Sequence, residues 1–325
     1  MPFPRSPVAT LQPDMCPTTR ANATLSPAAA RPGVVLFGIR CRFTFGVLRQ
    51  LLLASGRIDV RAVLLPGPPG VSHPLPVRLR TDDAFLAAYT GASYALPAPS
   101  SAATATLLHR LQPDVIVVAC YPFKLPQQLV GTARCGAFNV HPSLLPALRG
   151  PDPLFWTFRA GDGEAGVTLH QLTERFDAGP IYRQARLPYA DGTPEAELET
   201  QLAQLGGQLS VELIEALHAG PVATSTQDDA KATYAPWPEA ADFVLRPVGS
   251  ARAAFNFVRG VRERGTPVFL ELDGEHLRID EALAWRTEMP SEKLASADGI
   301  SVVQFDEGVL VARVTRIAAE RSHRG

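Results

Sequence analysis

Between residues 33 and 220, short apolar runs alternate with segments whose apolar residues recur at helical spacing, and this alternation restricts the fold more than any other feature. Gly33 to Ile39 is one such run; Phe43 to Ser55 follows with a helical stripe, closed by Gly56. Ile58 to Leu65 repeats the strand pattern and stops at Pro66-Gly67-Pro68-Pro69-Gly70. After a loop-rich stretch, Ala102 to Leu111 predicts a helix that leads through Pro113-Asp114 into a strand over Val115 to Cys120. Lys124 to Thr132 and Ala137 to Val140 read as the next helix and strand. Strands alternating with helices pair in parallel, take helices on both faces and hold ligands beyond their carboxyl ends. The expected architecture is therefore α/β, a Rossmann-like, mostly parallel sheet.

Asp152 with Pro153 predicts the N-cap and first turn of a helix to about Arg159, closed by Gly161. Gly166 to Leu172 and Pro180 to Leu187 read as strands on either side of Asp177, which puts that carboxylate on the connecting loop. Thr193-Pro194-Glu195 is expected to cap a long helix to His218, with Leu198, Leu202, Leu205 and Leu209 as its stripe and Gly220 as its end. One domain over 33–220 follows. Residues 221–240, rich in Pro, Thr, Ser and Asp, read as a linker. Beyond them, a helix from Ala251 to Glu263 and strands over Val268 to Leu272, His276 to Ile279, Ile300 to Phe305 and Val309 to Val314 predict a small β-barrel, OB-like, over 241–325. Residues 1–32 carry Arg5, Arg20 and Arg31 against Asp14 alone in a Pro-, Ala-, Thr- and Ser-rich composition, and are expected to be a disordered leader.

Composition narrows the class. With 46% hydrophobic and 19% charged residues the chain can bury sizeable cores. No apolar run reaches the roughly 18 residues that span a bilayer, and a cytoplasmic location is expected. The net charge of −1 supplies no global attraction to nucleic acid. Cys16, Cys41, Cys120 and Cys135 form neither a Cys-x-x-Cys pair nor a zinc spacing, and read as reduced core or loop thiols. There is no Gly-x-Gly-x-x-Gly loop, P-loop or Gly-x-Ser-x-Gly elbow.

What remains is Asn139-Val140-His141-Pro142 at the end of a predicted strand and Phe176-Asp177-Ala178-Gly179 on a facing loop. A neutral amide, an imidazole and a carboxylate suit acyl transfer to an amine. The amide can stabilise a developing oxyanion, while the carboxylate and imidazole move protons. Asp177 beside His141 is expected to favour the imidazolium. His170, on a predicted strand, is expected to be a packed or solvated ring. A metal site from His141, His170 and Asp177 is conceivable on ligand type, though nothing in the spacing demands it.

Asn139, His141 and Asp177, with Ser143-Leu144-Leu145-Pro146 and Arg149-Gly150, resemble the folate-dependent formyltransferase family. The similarity runs from about residue 33 to 220, through Ala160-Gly161-Asp162 and Gly166-Val167-Thr168, and Ala232-Thr233-Tyr234-Ala235-Pro236 resembles the entry to the C-terminal domain of its tRNA-directed members. The resemblance implies 10-formyltetrahydrofolate as donor, no metal, and Asn139, His141 and Asp177 as catalytic residues. It also implies a folate pocket at Tyr121, Phe123, Leu125, Phe138, Val140 and Gly179, and acceptor contacts at Ser143, Leu144, Leu145 and Arg149. The acceptor it favours is methionyl-tRNA, an initiator tRNA, with Arg149, Arg259, Arg262 and Arg264 as candidate phosphate contacts. Two features point elsewhere: residues 67–79 hold only Arg78 where those members carry a basic loop, and residues 231–325 have 13 Lys plus Arg against 14 Asp plus Glu. An amino sugar nucleotide or other small amine, or hydrolysis of the donor, are the alternatives.

Overall fold

The computed structural model describes residues 31–272, 274–288 and 299–316. Cys16 and nearly all of the expected leader lie outside the described residues. In chain order the elements are β1 (Gly33–Gly38), α1 (Arg42–Leu53), β2 (Asp59–Pro66), β3 (Leu75–Pro76), α2 (Ala84–Ala87), β4 (Ser93–Leu96), α3 (Ala102–Leu111), β5 (Val115–Ala119), α4 (Gln127–Val130) and β6 (Ala137–His141). They continue with α5 (Pro153–Ala160), β7 (Glu164–Gln171), β8 (Ile181–Pro188), α6 (Glu195–Ala219), β9 (Val244–Leu245), α7 (Ala251–Gly260), β10 (Val268–Leu272), β11 (Glu275–Arg286), β12 (Ile300–Gln304) and β13 (Val309–Arg316).

Eight strands form the large sheet in the order β3-β4-β2-β1-β5-β6-β7-β8. The run β4-β2-β1-β5-β6 is parallel, whereas β3, β7 and β8 join by antiparallel pairing. Strands buried on both faces read as continuous apolar runs. In β1, Val34 and Leu36 join Val47, Leu48 and Leu51 of α1 and Leu198 and Leu202 of α6, while Val35 and Phe37 turn to Leu108 of α3 and Leu129 of α4. Each such apolar side chain contributes about 1.5–3 kcal/mol by leaving water. The strand order reverses between β1 and β5, and the crevice beyond their carboxyl ends is where such sheets hold ligands.

The loop-rich stretch after β2 contains β3, α2 and β4, and the four residues of β4 are too few to show a period. The helix expected over Lys124 to Thr132 is only α4, because Pro126 disfavours helical geometry at Leu125. Thr193 does not cap α6; its hydroxyl donates to the Ala190 carbonyl at 2.8 Å, and Pro194 stands at the cap position.

The second sheet has the order β12-β13-β11-β10-β9, with β12 and β9 at its ends among the described residues. β11 is far longer than the strand expected at His276 to Ile279. Irregularities at Ile279/Glu281 and Ala282/Ala284 break the two-residue alternation that sequence reading relies on. This unit packs on the large sheet through α5 and α7: the Phe155 ring lies 5.0 Å from Phe243 and 5.4 Å from Phe257. Asp191 accepts from Arg252 Nε at 2.7 Å, Asn256 Nδ2 at 2.9 Å and Trp285 Nε1 at 2.9 Å.

Arg264, a candidate phosphate contact by sequence, is instead an internal tie: it donates to Asp152 Oδ1 at 2.8 Å and Glu195 Oε2 at 2.6 Å. Burial lowers its pKa, but the two carboxylates more than reverse this and the net shift is upward. Its side chain is 19% exposed, so Arg264→Ala is expected to destabilise by about 2–3 kcal/mol, below the 3–5 kcal/mol of a fully buried pair losing one partner. Urea unfolding measures this, and a loss under about 0.5 kcal/mol, the level of an ordinary surface substitution, contradicts the tie.

Candidate active site

β6 delivers Asn139 and His141 to the crevice because alternate residues of a strand share a face. The same rule sends Phe138 and Val140 the other way, where they are buried at 3% and 1% exposure in the core with α6. Their side chains, expected by sequence to line a folate pocket, are thus part of the core and do not share the face of Asn139 and His141.

β7 pairs antiparallel with β6 and sets His170 opposite Asn139. His170 is buried, not solvated, and is a member of the site. Its Nδ1 donates to the Gln171 carbonyl at 3.0 Å, which leaves Nε2 to accept from Asn139 Nδ2 at 3.2 Å. Asn139 Nδ2 also donates to Asp177 Oδ1 at 3.3 Å. That same oxygen lies 3.6 Å from His141 Nδ1 and 3.7 Å from His170 Nε2. His141 Nε2 donates to the Leu148 carbonyl at 2.8 Å, so the nitrogen turned to Asp177 carries a lone pair when the ring is neutral.

Burial holds the His141 pKa below its ordinary value; Asp177 and the Leu148 carbonyl push the other way and lose, and His170 adds to the lowering. The expected bias toward the imidazolium is thus reversed by desolvation. For Asp177, burial raises the pKa, but the His141 and His170 imidazoles and the Gly150 N–H bring it down to about 2. The resting pair is a carboxylate beside a neutral imidazole.

The loop that presents Asp177 is fixed from three sides. Asp177 has φ 52°, in the left-handed region, and its Oδ2 accepts from Gly150 N at 3.0 Å. Gln227 Nε2 donates to both the Asp177 and Gly179 carbonyls at 2.8 Å, while its Oε1 accepts from Arg149 Nε at 3.1 Å and Nη2 at 2.7 Å. Gly179 has to lack a side chain, since a Cβ there would collide with the Gln171 carbonyl oxygen. Arg149 is buried and also bonds Asp229 Oδ1 at 2.8 Å. Its guanidinium, expected by sequence to meet the acceptor, is taken up in bracing the loop.

Ser143 and Leu145 are likewise buried. The Ser143 hydroxyl donates to the Ala147 carbonyl at 2.7 Å, and Leu145 N donates to Thr168 Oγ1 at 3.1 Å, so both shape the loop from within. Leu144 is half-buried and packs on Gly166. Residues 221–240 are anchored rather than a free linker, with Ser225 paired to Ile181 and Tyr234 alongside Arg149.

At the β1 and β5 ends, the buried Tyr121 ring meets Phe37 at 5.2 Å and Phe123 at 5.8 Å, both edge-on. Its hydroxyl is buried with no partner among the described residues, and burial raises its pKa to about 12. Leu125 is buried beside it and Phe123 is half exposed. Cys41 and Cys120 are free thiols. Cys41 caps α1; the Cys120 thiol beside it is the largest influence bringing its pKa to about 7.

Residues 84–214 match the family described as "Formyl transferase". The methionyl-tRNA formyltransferase of Synechococcus sp. (strain JA-3-3Ab) is 34% identical over 258 residues, which is 77% of this chain and 73% of that protein. The chain belongs to the formyltransferase family. Among solved structures, this formyltransferase superposes on WlaRD, a sugar 3N-formyl transferase, with a TM-score of 0.59 at 12% identity, over 89% of this chain and 100% of that one. It also matches HypX from Aquifex aeolicus in complex with tetrahydrofolic acid, with a TM-score of 0.53 at 16% identity, over 88% of this chain and 44% of that one. This formyltransferase therefore spans less than half the length of HypX. No helix among its described residues is long and apolar enough to cross a membrane.

His170, for which the sequence favoured a packed or solvated ring, is the residue that the structure adds to the candidate site. The available signal was Thr168 and His170, two polar residues at strand spacing inside an otherwise apolar run.

Proposed function

We propose that this chain transfers the formyl group of 10-formyltetrahydrofolate to the α-amine of methionyl-tRNA, and that Asn139, His141 and Asp177 act on the reacting atoms. The observation that carries the reading is the convergence of these three side chains at the carboxyl end of β6, in a chain 34% identical to a methionyl-tRNA formyltransferase. The donor supplies a formyl carbon open to attack by an amine. Tyr121, Phe123 and Leu125 suit a pterin: one exposed aromatic face, one apolar wall and one buried hydroxyl awaiting a polar edge.

Neutral His141 takes the proton released by the attacking amine, and ionised Asp177 stabilises the imidazolium that results. The same imidazolium then protonates the departing nitrogen. Both amide hydrogens of Asn139 are engaged at rest, at 3.2 and 3.3 Å. Such long bonds in an empty site are ones that a developing oxyanion can displace.

The depressed His141 pKa fixes the acid limb of the rate. kcat/KM for the acceptor is expected to rise with pH through a value below 6.5 as His141 loses its proton, and to rise again as the free α-amine of the acceptor, with a pKa of about 7.7–8.0, loses its own. Stability follows the same direction: unfolded His141 and Asp177 both bind protons at higher pH than in the folded state, so acid destabilises, first below pH 6.5 and then from 3.8 toward 2. A rate that falls as pH rises through the region below 6.5 would mean that His141 works from its protonated form.

For the acceptor, Arg262 stays exposed and Arg259 is half-buried, each with Nη1 3.9 Å from Glu281 Oε1. If they meet phosphates, transfer to tRNA weakens linearly in log salt, and removing both charges flattens the slope by about one unit per contact. A slope unchanged in the double variant removes these two from the interface.

A further inference from the structure

Three large aromatic side chains stand in solvent: Phe176, next to Asp177 in the chain, at 63%, Tyr234 at 68% and Trp237 at 69% exposure. Two belong to a strap laid along the loop that holds Asp177 and His141. Arg149 N donates to the Thr233 carbonyl at 2.9 Å, Ala235 N to the Arg149 carbonyl at 2.6 Å, and Leu148 N to Thr233 Oγ1 at 2.8 Å. Trp156 Nε1 fixes the far end by donating to the Pro236 carbonyl at 2.8 Å. The strap is therefore rigid where its aromatic side chains leave it.

Tyr234 is close to the chemistry. A Cβ built on Gly150 would lie 2.8 Å from Tyr234 Cε2, and Gly150 N is the donor at 3.0 Å to Asp177 Oδ2. Trp237 follows the anchored Pro236, so the two rings leave one short, fixed piece of backbone. Single exposed apolar residues are ordinary, but two exposed aromatic residues on one anchored strap, one of them against Gly150, mark a contact surface. Aromatic faces on fixed backbone are what a planar heterocycle stacks on, and they lose little freedom in doing so.

We propose that Tyr234 and Trp237 form a stacking face for the terminal nucleobase of the acceptor. This rests on the tRNA acceptor reading, and it gives the strap a role in acceptor specificity beside its role in bracing the loop. The amine must reach His141 and Asp177. A base one ribose away from the aminoacyl group then comes down beside Gly150, over the strap.

The test compares two minimal acceptors with the full-length enzyme and 10-formyltetrahydrofolate: methionine amide, and methionine joined through its carboxyl to the amine of 3′-amino-3′-deoxyadenosine. The wild type is expected to use the adenosine compound with a KM at least tenfold below that of methionine amide. Y234A and W237A are each expected to raise that KM by about five- to 150-fold, the range of base stacking on an aromatic side chain. kcat should stay within about twofold, the KM for the folate donor should be unchanged, and W237F should restore most of the loss. The shared donor KM shows that the variants are folded.

If the wild type formylates the adenosine compound and neither variant changes its KM, the stacking face is wrong while the acceptor reading survives. If the wild type formylates neither compound and only an amino sugar nucleotide, the acceptor reading falls and the assignment to a terminal nucleobase falls with it.

Discussion

Alanine at Asn139, His141 or Asp177 is expected to leave a folded protein whose kcat is about 10² to 10⁴-fold lower, the range for a lost oxyanion donor or general acid–base group. The geometry makes the losses interdependent. Asp177 Oδ1 is the shared point, 3.3 Å from Asn139 Nδ2 and 3.6 Å from His141 Nδ1. Once Asp177 is gone, an imidazolium at His141 has no counter-charge and Asn139 has lost one of its two partners. A double variant is therefore expected to lose much less than the product of the single losses. His170→Ala should cost less than any of the three, because His170 orients Asn139 and is given no role on the reacting atoms. Fully multiplicative losses would mean that the three side chains do not work as one unit.

Gly179→Ala is expected to lower kcat about 10²-fold although the residue carries no chemistry. Its added methyl group would meet the Gln171 carbonyl oxygen, which is backbone and cannot turn aside. The Gly179 segment has to move instead. Gln227 Nε2 holds the Gly179 and Asp177 carbonyls together at 2.8 Å, so the displacement is passed to the carboxylate. A shift of about 1 Å in a reacting group is enough for a loss of this size. The overpacking also costs about 1–3 kcal/mol of stability. Gly179→Ala with wild-type kcat would show that the loop is compliant and that Asp177 is positioned by something else.

The parallel body of the fold was legible because β1, β2, β5 and β6 are buried on both faces and interrupted by helices with caps or closing glycines. Asn139, His141 and Asp177 were legible because their chemistry is local to two short motifs. What sequence could not supply was side-chain direction under burial. Arg149 and Arg264 look like free cations in a string of letters, yet each is folded inward against acids more than 40 residues away in sequence. Phe138 and Val140 flank Asn139 in sequence and face away from it in space. The balance between burial and a neighbouring carboxylate at His141 depends on how completely the ring leaves water, which the sequence does not state. His170 became part of the site only through its register with Asn139, a pairing across 31 residues.

The most direct measurement is transfer of the formyl group from 10-formyltetrahydrofolate to a panel of acceptors at low salt: methionyl-tRNA, other charged tRNA, and amino sugar nucleotides, each with wild type and Asp177→Ala. Methionyl-tRNA is expected to be formylated by the wild type, and Asp177→Ala to abolish nearly all of this turnover. Formylation of an amino sugar nucleotide with none of any tRNA would contradict the acceptor, and undiminished turnover in Asp177→Ala would contradict the site.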